Sequence, residues 1–183
     1  MKTVGRKTER RATRGLYHAE TGGSVYFLTF SARPGENFNT AERAIILSSC
    51  RFGHPERWIL FGGVVMPDHV HMLLKPQLIS HENHDFRGAN DTIRAPSQPR
   101  WMAIGEIVKS IKSITARQIN RLRGRKSGPI WMTDYYERNV RDEKDFRVKL
   151  EYMMNNPVKG GLVRAPEEWD ALWINEEIVS ERG

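Results

Sequence analysis

Two histidines stand one residue apart, His69 and His71, in the run Met66-Pro-Asp-His-Val-His-Met-Leu-Leu-Lys75. The alternation after the Pro-Asp turn predicts a strand. Side chains at i and i+2 of a strand share a face. His69 and His71 therefore project together, while Val70, Met72 and Leu74 fill the other face. Two imidazoles side by side can hold one divalent metal ion. A catalytic metal site needs a further ligand and a nucleophile, and both have candidates near the C-terminus.

The nucleophile candidate is Tyr152. A helix is expected from about Asp142 to Asn155, ending there because Pro157 disfavours the helical conformation at Asn156. At 100° per residue, Phe146, Leu150 and Met153 form its apolar stripe. Tyr152 falls nearly opposite, close to Asp145, Lys149 and Asn156, so it is not placed for packing. A phenol can attack a phosphodiester and hold the ester as a covalent phosphotyrosine until a later hydroxyl reclaims it. A metal ion on the scissile phosphate would polarise its P–O bonds. A cation such as Lys149 would help the attacking oxygen carry negative charge.

Other elements must bring these residues together. Ser24 to Ser31 reads as a strand rich in β-branched and aromatic residues. Asn39 or Thr40 can cap a helix running to about Arg51, with Ala44, Ile45, Leu47 and Ser48 inward. Trp58 to Met66 is a second strand, with Gly62 and Gly63 marking a bulge or a close approach. It should form a hairpin with the histidine strand. Pro76 to about Arg100 is a long polar loop, and its His81 and His84 are taken as solvent residues. Trp101 to Arg123 has strong helical periodicity, with Ile104, Ile107, Ile111, Ile114, Ile119 and Leu122 on one side. The opposite stripe, Lys109, Lys112, Ser113, Asn120 and Arg123, is expected to touch phosphate. Tyr135 to Val140 is a fourth strand. This order is the ferredoxin-like split βαβ plan of the α+β class: an antiparallel sheet with helices on one face, plus an extra C-terminal helix carrying Tyr152.

The 183 residues suffice for one domain with tails. We expect a basic arm over 1–23, a domain over 24–165 and a tail over 166–183. The net charge of +7 and pI of about 9.8 favour a polyanionic partner, nucleic acid first. The arm (Lys2, Arg6, Lys7, Arg10, Arg11, Arg14) could lie along phosphates. Cys50 is the only cysteine, which excludes an internal disulfide and a cysteine-rich zinc site and fits a reducing cytoplasm. The longest apolar stretch, Trp58 to Met66, is too short to span a membrane, so no membrane partner is expected.

The order of these motifs resembles the REP-associated tyrosine transposases, a branch of the single-tyrosine HUH transposases. The matching stretches are Val64–Leu74, Lys109–Asn120, Ile130-Trp131, Arg141–Glu143 and Tyr152-Met-Met-Asn-Asn-Pro-Val-Lys-Gly-Gly-Leu-Val163, within residues 24 to 165. The resemblance implies that His69 and His71 are metal ligands, that the Asn156 amide is the third, and that Tyr152 is the nucleophile. It implies Mg²⁺ or Mn²⁺ as the ion. The substrate would be single-stranded DNA beside an imperfect hairpin, cleaved to a 5′-phosphotyrosine and a free 3′-hydroxyl. Such a nickase and strand transferase would work in the cytoplasm at the nucleoid, as a monomer or homodimer. Lys109, Lys112, Arg123 and Lys149 are the expected DNA contacts. The chain departs from the family in its longer loop over 76–100 and in Met132, where a polar residue commonly follows the tryptophan. The competing reading is a non-catalytic nucleic-acid-binding module of the same fold.

Overall fold

A computed structural model describes residues 23–79 and 100–180. The N-terminal arm through residue 22, and His81 and His84, lie outside the described residues.

The first half follows the expected order. Strand β1 (Tyr26–Ser31) leads to helix α1 (Thr40–Arg51), then to strands β2 (Trp58–Val65) and β3 (His69–Pro76). Asn39 caps α1: its side chain accepts from the Glu42 N–H at 3.0 Å, and the Glu42 carboxylate accepts from the Asn39 N–H at 3.1 Å. This reciprocal capping box satisfies two amides that the helix leaves unpaired. The β2–β3 hairpin turns through Pro67-Asp68, closed by the Met66 N–H donating to the His69 carbonyl at 2.8 Å.

The inward face of α1 differs from expectation. Glu42, Ile46 and Cys50 are buried, whereas Ala44 and Ser48 are exposed. The buried stripe includes a glutamate, so the apolar residues alone do not fix the helical wheel. Glu42 is buried because Arg123 reaches it from the following long helix.

The loop after β3 begins and ends as a pair of two-residue strands, β4 (Leu78–Ile79) and β5 (Arg100–Trp101). Helix α2 (Ile104–Leu122) buries Ile104, Ile107, Ile111 and Ile119 as its periodicity predicts, but Leu122, its last residue, is 52% exposed. Strand β6 (Tyr136–Asn139) and helix α3 (Glu143–Met154) follow. Asp142 caps α3, accepting from the Asp145 N–H at 2.8 Å. The helix stops at Met154, and Asn155 lies between it and a one-turn helix α4 (Asn156–Lys159) with Pro157 in its first turn. Proline is suited to that place because its missing N–H would have no intrahelical partner. Tyr152 and Asn156 therefore sit on two helical pieces, not on one.

The expected tail over 166–183 is a correction. A 3-10 turn at Pro166–Glu168, strand β7 (Leu172–Ile174) and helix α5 (Glu176–Ser180) occupy it through residue 180. Trp169 donates its indole N–H to the Val65 carbonyl, Arg43 pairs with Asp170, and Ala171 is buried. These residues complete the domain. A three-residue strand amid polar residues carries too little alternation to be read from sequence.

The sheet order is β6-β1-β3-β2-β7, antiparallel throughout. The faces split as the alternation requires. Tyr26, Leu28, Phe30, Val70, Met72 and Leu74 pack with α1 and α2 in one core. Phe27, Phe61, Val64 and Leu73 pack with Phe146, Leu150 and Met153 of α3 in the other. Two helices thus cover one face and the tyrosine-bearing helix covers the other. Gly62 lets it come close: a Cβ there would lie 2.5 Å from the Met153 Cε and 2.8 Å from the Ile174 Cδ1. The β2 ladder also shifts register between Leu60 and Gly62, the expected irregularity.

Candidate active site

The face beneath α3 carries both histidines. In the register of β1, β3 and β2, Ser31 lies opposite His69, and Thr29 and Val64 flank His71 on either side. The two imidazole centroids are 4.8 Å apart. His71 is 4% exposed, sealed against the Phe27 ring at 5.2 Å, while His69 stays half-buried at the edge.

Each ring is tied through the same nitrogen. His71 Nδ1 lies 2.7 Å from the Thr29 hydroxyl, and His69 Nδ1 lies 2.7 Å from an Asp68 carboxylate oxygen. With Nδ1–H donating to those oxygens, each Nε2 carries the lone pair, and that of His71 faces the Asn156 amide. Metal-binding histidines are commonly oriented in this way, by a carboxylate or another oxygen on the far nitrogen. Burial, with the neighbouring His69 adding to it, pushes His71 down to about 3. His71 is therefore neutral at pH 7, the form that ligates metal.

Helices α3 and α4 close the site from above. The Tyr152 ring stands edge-on to His71 at 5.5 Å and to Phe27 at 6.0 Å. Tyr152 remains 41% exposed, so its ring borders the histidines while solvent reaches the side chain. Asn156 Nδ2 lies 3.4 Å from His71 Nε2. The structure thus brings His69, His71, Tyr152 and Asn156 together from three elements. No cluster of three His, Cys, Asp or Glu side chains suited to a metal forms among the described residues. A cation at the histidine pair would need the Asn156 amide, with water completing its shell. The donor set fits a small divalent ion on those terms.

The expected cations are arranged differently. Lys149 lies over the Phe27 ring at 5.7 Å, whereas Lys159 of α4 lies over the Tyr152 ring at 5.1 Å. Lys112 donates to the carbonyls of Met132, Thr133 and Asp134, and burial pushes it down to about 8 against the pull of Asp134. Arg123 binds Glu36, Glu42 and the Asn37 carbonyl. Its hydrogen bonds hold the Glu42 carboxyl below its ordinary range. Asn120 is buried and donates to the Gly128 carbonyl. Of the expected phosphate stripe, Lys112, Asn120 and Arg123 hold the fold together, and Lys109 is exposed. Thr29, Asp68 and Lys159 were not singled out in the sequence. Asp68 has the signal of adjacency to His69, whereas Lys159 lies on α4, beyond the end of the helix that carries Tyr152, and has no local signal. Thr29 has none without the strand register.

No family profile matches the chain. A Haemophilus influenzae protein with the provisional name REP-associated tyrosine transposase is 29% identical over 117 residues, 64% of this chain. The match spans 59% of that relative's length. A solved REP-associated tyrosine transposase bound to a REP hairpin superposes with a TM-score of 0.58 at 17% identity, covering 100% of this chain and 88% of that one. The chain resembles the REP-associated tyrosine transposases. The likeness holds in sequence to the curated relative and in fold to the solved one, and the α+β plan with an antiparallel sheet is common to both structures. Among the described residues, no helix is long and apolar enough to cross a membrane.

Proposed function

We propose that the protein is a metal-dependent endonuclease and strand transferase for single-stranded DNA next to a hairpin, working through a 5′-phosphotyrosine on Tyr152. The observation that carries this reading is the packing of an accessible tyrosine against a histidine pair whose Nδ1 atoms are both tied. A tyrosine serving only the core would lie with Phe146, Leu150 and Met153. The names of the similar proteins support DNA as the partner.

His69, His71 and Asn156 would hold Mg²⁺ or Mn²⁺, and when bound such an ion supplies charge stabilisation to the scissile phosphate. The chain's own residues do the rest. The Tyr152 oxygen attacks phosphorus and loses its proton to solvent. The bond from phosphorus to the 3′-oxygen breaks, and that oxygen takes up a proton as a free 3′-hydroxyl. The 5′-phosphate stays esterified to Tyr152, so a later 3′-hydroxyl can reverse the step on another strand. The Lys159 ammonium beside the ring offsets the charge that builds on the phenolic oxygen during attack. Thr29 and Asp68 keep both imidazoles in the ligating tautomer.

The test is incubation with end-labelled oligonucleotides that carry a hairpin and an unpaired flank. A denaturation-resistant adduct retaining the 5′-phosphate side is expected, dependent on a divalent ion and lost in EDTA. Full cleavage in EDTA would overturn the role of the histidine pair.

A further inference from the structure

The C-terminal end of α2 and the loop after it enclose an open cleft of about 560 Å³. Arg117, Arg121, Arg125 and Lys126 line it, and no carboxylate does. All four cations are exposed. Arg125 reaches Glu36 at 3.2 Å, but among the described residues Arg117, Arg121 and Lys126 make no ion pair. Arg117 and Arg121 stand at i and i+4 on α2, where like charges repel and weaken a helix. Arg121 in the last turn complements the helix dipole. Arg117, a turn earlier, gains little from it. Gly124, at φ 67°, adds no side chain to the rim. We propose that this cleft binds the phosphate backbone of a duplex, the stem of the hairpin, apart from the unpaired strand at Tyr152. The proposal rests on the reading of the protein as a hairpin-processing enzyme.

One observation favours duplex over single strand, and a second puts the cleft within reach of a stem. The lining holds no aromatic ring, and sites for single strands characteristically stack bases on aromatic side chains. The chain path also sets an upper bound on the distance from the cleft to the histidines. From Gly128 the chain runs through Pro129 and Ile130 to Trp131, which bridges to Ala32, the neighbour of Ser31 opposite His69. That path is at most about 25 Å, counting extended residues and strand spacings. It corresponds to roughly seven nucleotides at 3.4 Å each. A stem whose foot lies at the histidine end of β3 and that passes the sheet edge toward the C-terminal end of α2 would present phosphates to the cleft within its first turn.

The test uses the full chain and three synthetic DNA probes: a hairpin with a stem of about twelve base pairs and an unpaired flank, the same flank on a stem of about four, and the flank alone. Arg117→Gln and Lys126→Gln, on the helix and on the loop respectively, remove cleft charge at two independent places. On the long stem, each is expected to weaken binding and to lower the slope of log affinity against log salt by about 0.9. The short stem and the bare flank should bind these variants as they bind the wild type. Wild-type affinity and slope on the long stem for both variants would overturn the proposal. An equal loss on all three probes would also overturn it, because the cleft would then act on charge alone or on the single strand. Adduct formation on the flank, followed in the same samples, reports separately on Tyr152. Its absence in the wild type would overturn the catalytic reading while leaving the stem measurement intact.

Discussion

The Thr29 hydroxyl and His71 Nδ1 lie 2.7 Å apart across the β1–β3 ladder, in a register that places the two residues opposite each other. Thr29 thereby fixes which nitrogen of a buried imidazole faces Tyr152 and Asn156. Thr29→Val keeps the shape and removes the oxygen. It is expected to weaken Mn²⁺ binding, measured by calorimetry, by about 10- to 100-fold, the usual cost of losing an outer-shell partner. The fold should lose only about 1 kcal/mol. Unchanged metal affinity would mean that the hydroxyl does not orient the ring.

Acid should destabilise the protein through His71. Its folded-state value is about 3, held down by burial and by His69, against 6.5 for the ordinary side chain. Between those values the unfolded chain binds a proton that the folded chain refuses. Stability is therefore complete above pH 6.5 and falls as the pH drops toward 3. From pH 7.5 to pH 5 the loss should be about 2 kcal/mol. Urea unfolding of wild type and His71→Gln at both pH values isolates it. An equal loss in the two proteins would assign the acid sensitivity elsewhere.

Arg123 should matter for folding and not for DNA. Its partner Glu42 is 1% exposed, and removing the guanidinium leaves a buried carboxylate with no cation and only the Asn39 N–H as partner. Arg123→Ala should cost about 3 kcal/mol, the lower end for a broken buried pair because the arginine keeps some exposure. The midpoint of urea unfolding measures it. The salt dependence of hairpin binding, read at a temperature where the variant is folded, should match the wild type. A flattened slope would restore Arg123 as a phosphate contact.

Lys159, rather than Lys149, should assist the tyrosine. Lys159→Gln is expected to slow adduct formation by about 3- to 30-fold, the range of a cation against an aromatic ring. Lys149→Gln should leave the rate near wild type, since its ammonium sits over Phe27. The reverse order in single-turnover assays would contradict the geometry.

Much of this was legible in the sequence. Period-2 alternation put Val70, Met72 and Leu74 on one face and the histidines on the other, and the sheet bears that out. The apolar stripe of Phe146, Leu150 and Met153 correctly turned Tyr152 away from the core beneath α3. What local pattern could not show has one cause. Glu42, Lys112, Asn120 and Arg123 carry polar side chains that tertiary partners bury or consume, and a helical wheel counts such residues as solvent-facing. Their partners lie 8 to 87 residues away in sequence, so local pattern cannot reveal them. β7 was invisible for a related reason: three residues gain strand structure only from the β2 edge they join.

The most direct test is the identity of the residue that bears the DNA. Wild-type protein, incubated with a 5′- and 3′-labelled hairpin oligonucleotide and Mn²⁺, should yield a denaturation-resistant adduct. Peptide mass spectrometry should place the phosphate on Tyr152, and Tyr152→Phe should abolish the adduct while binding the hairpin as tightly as wild type. An adduct that persists in Tyr152→Phe, or maps to Tyr135 or Tyr136, would contradict the assignment of Tyr152 as the nucleophile.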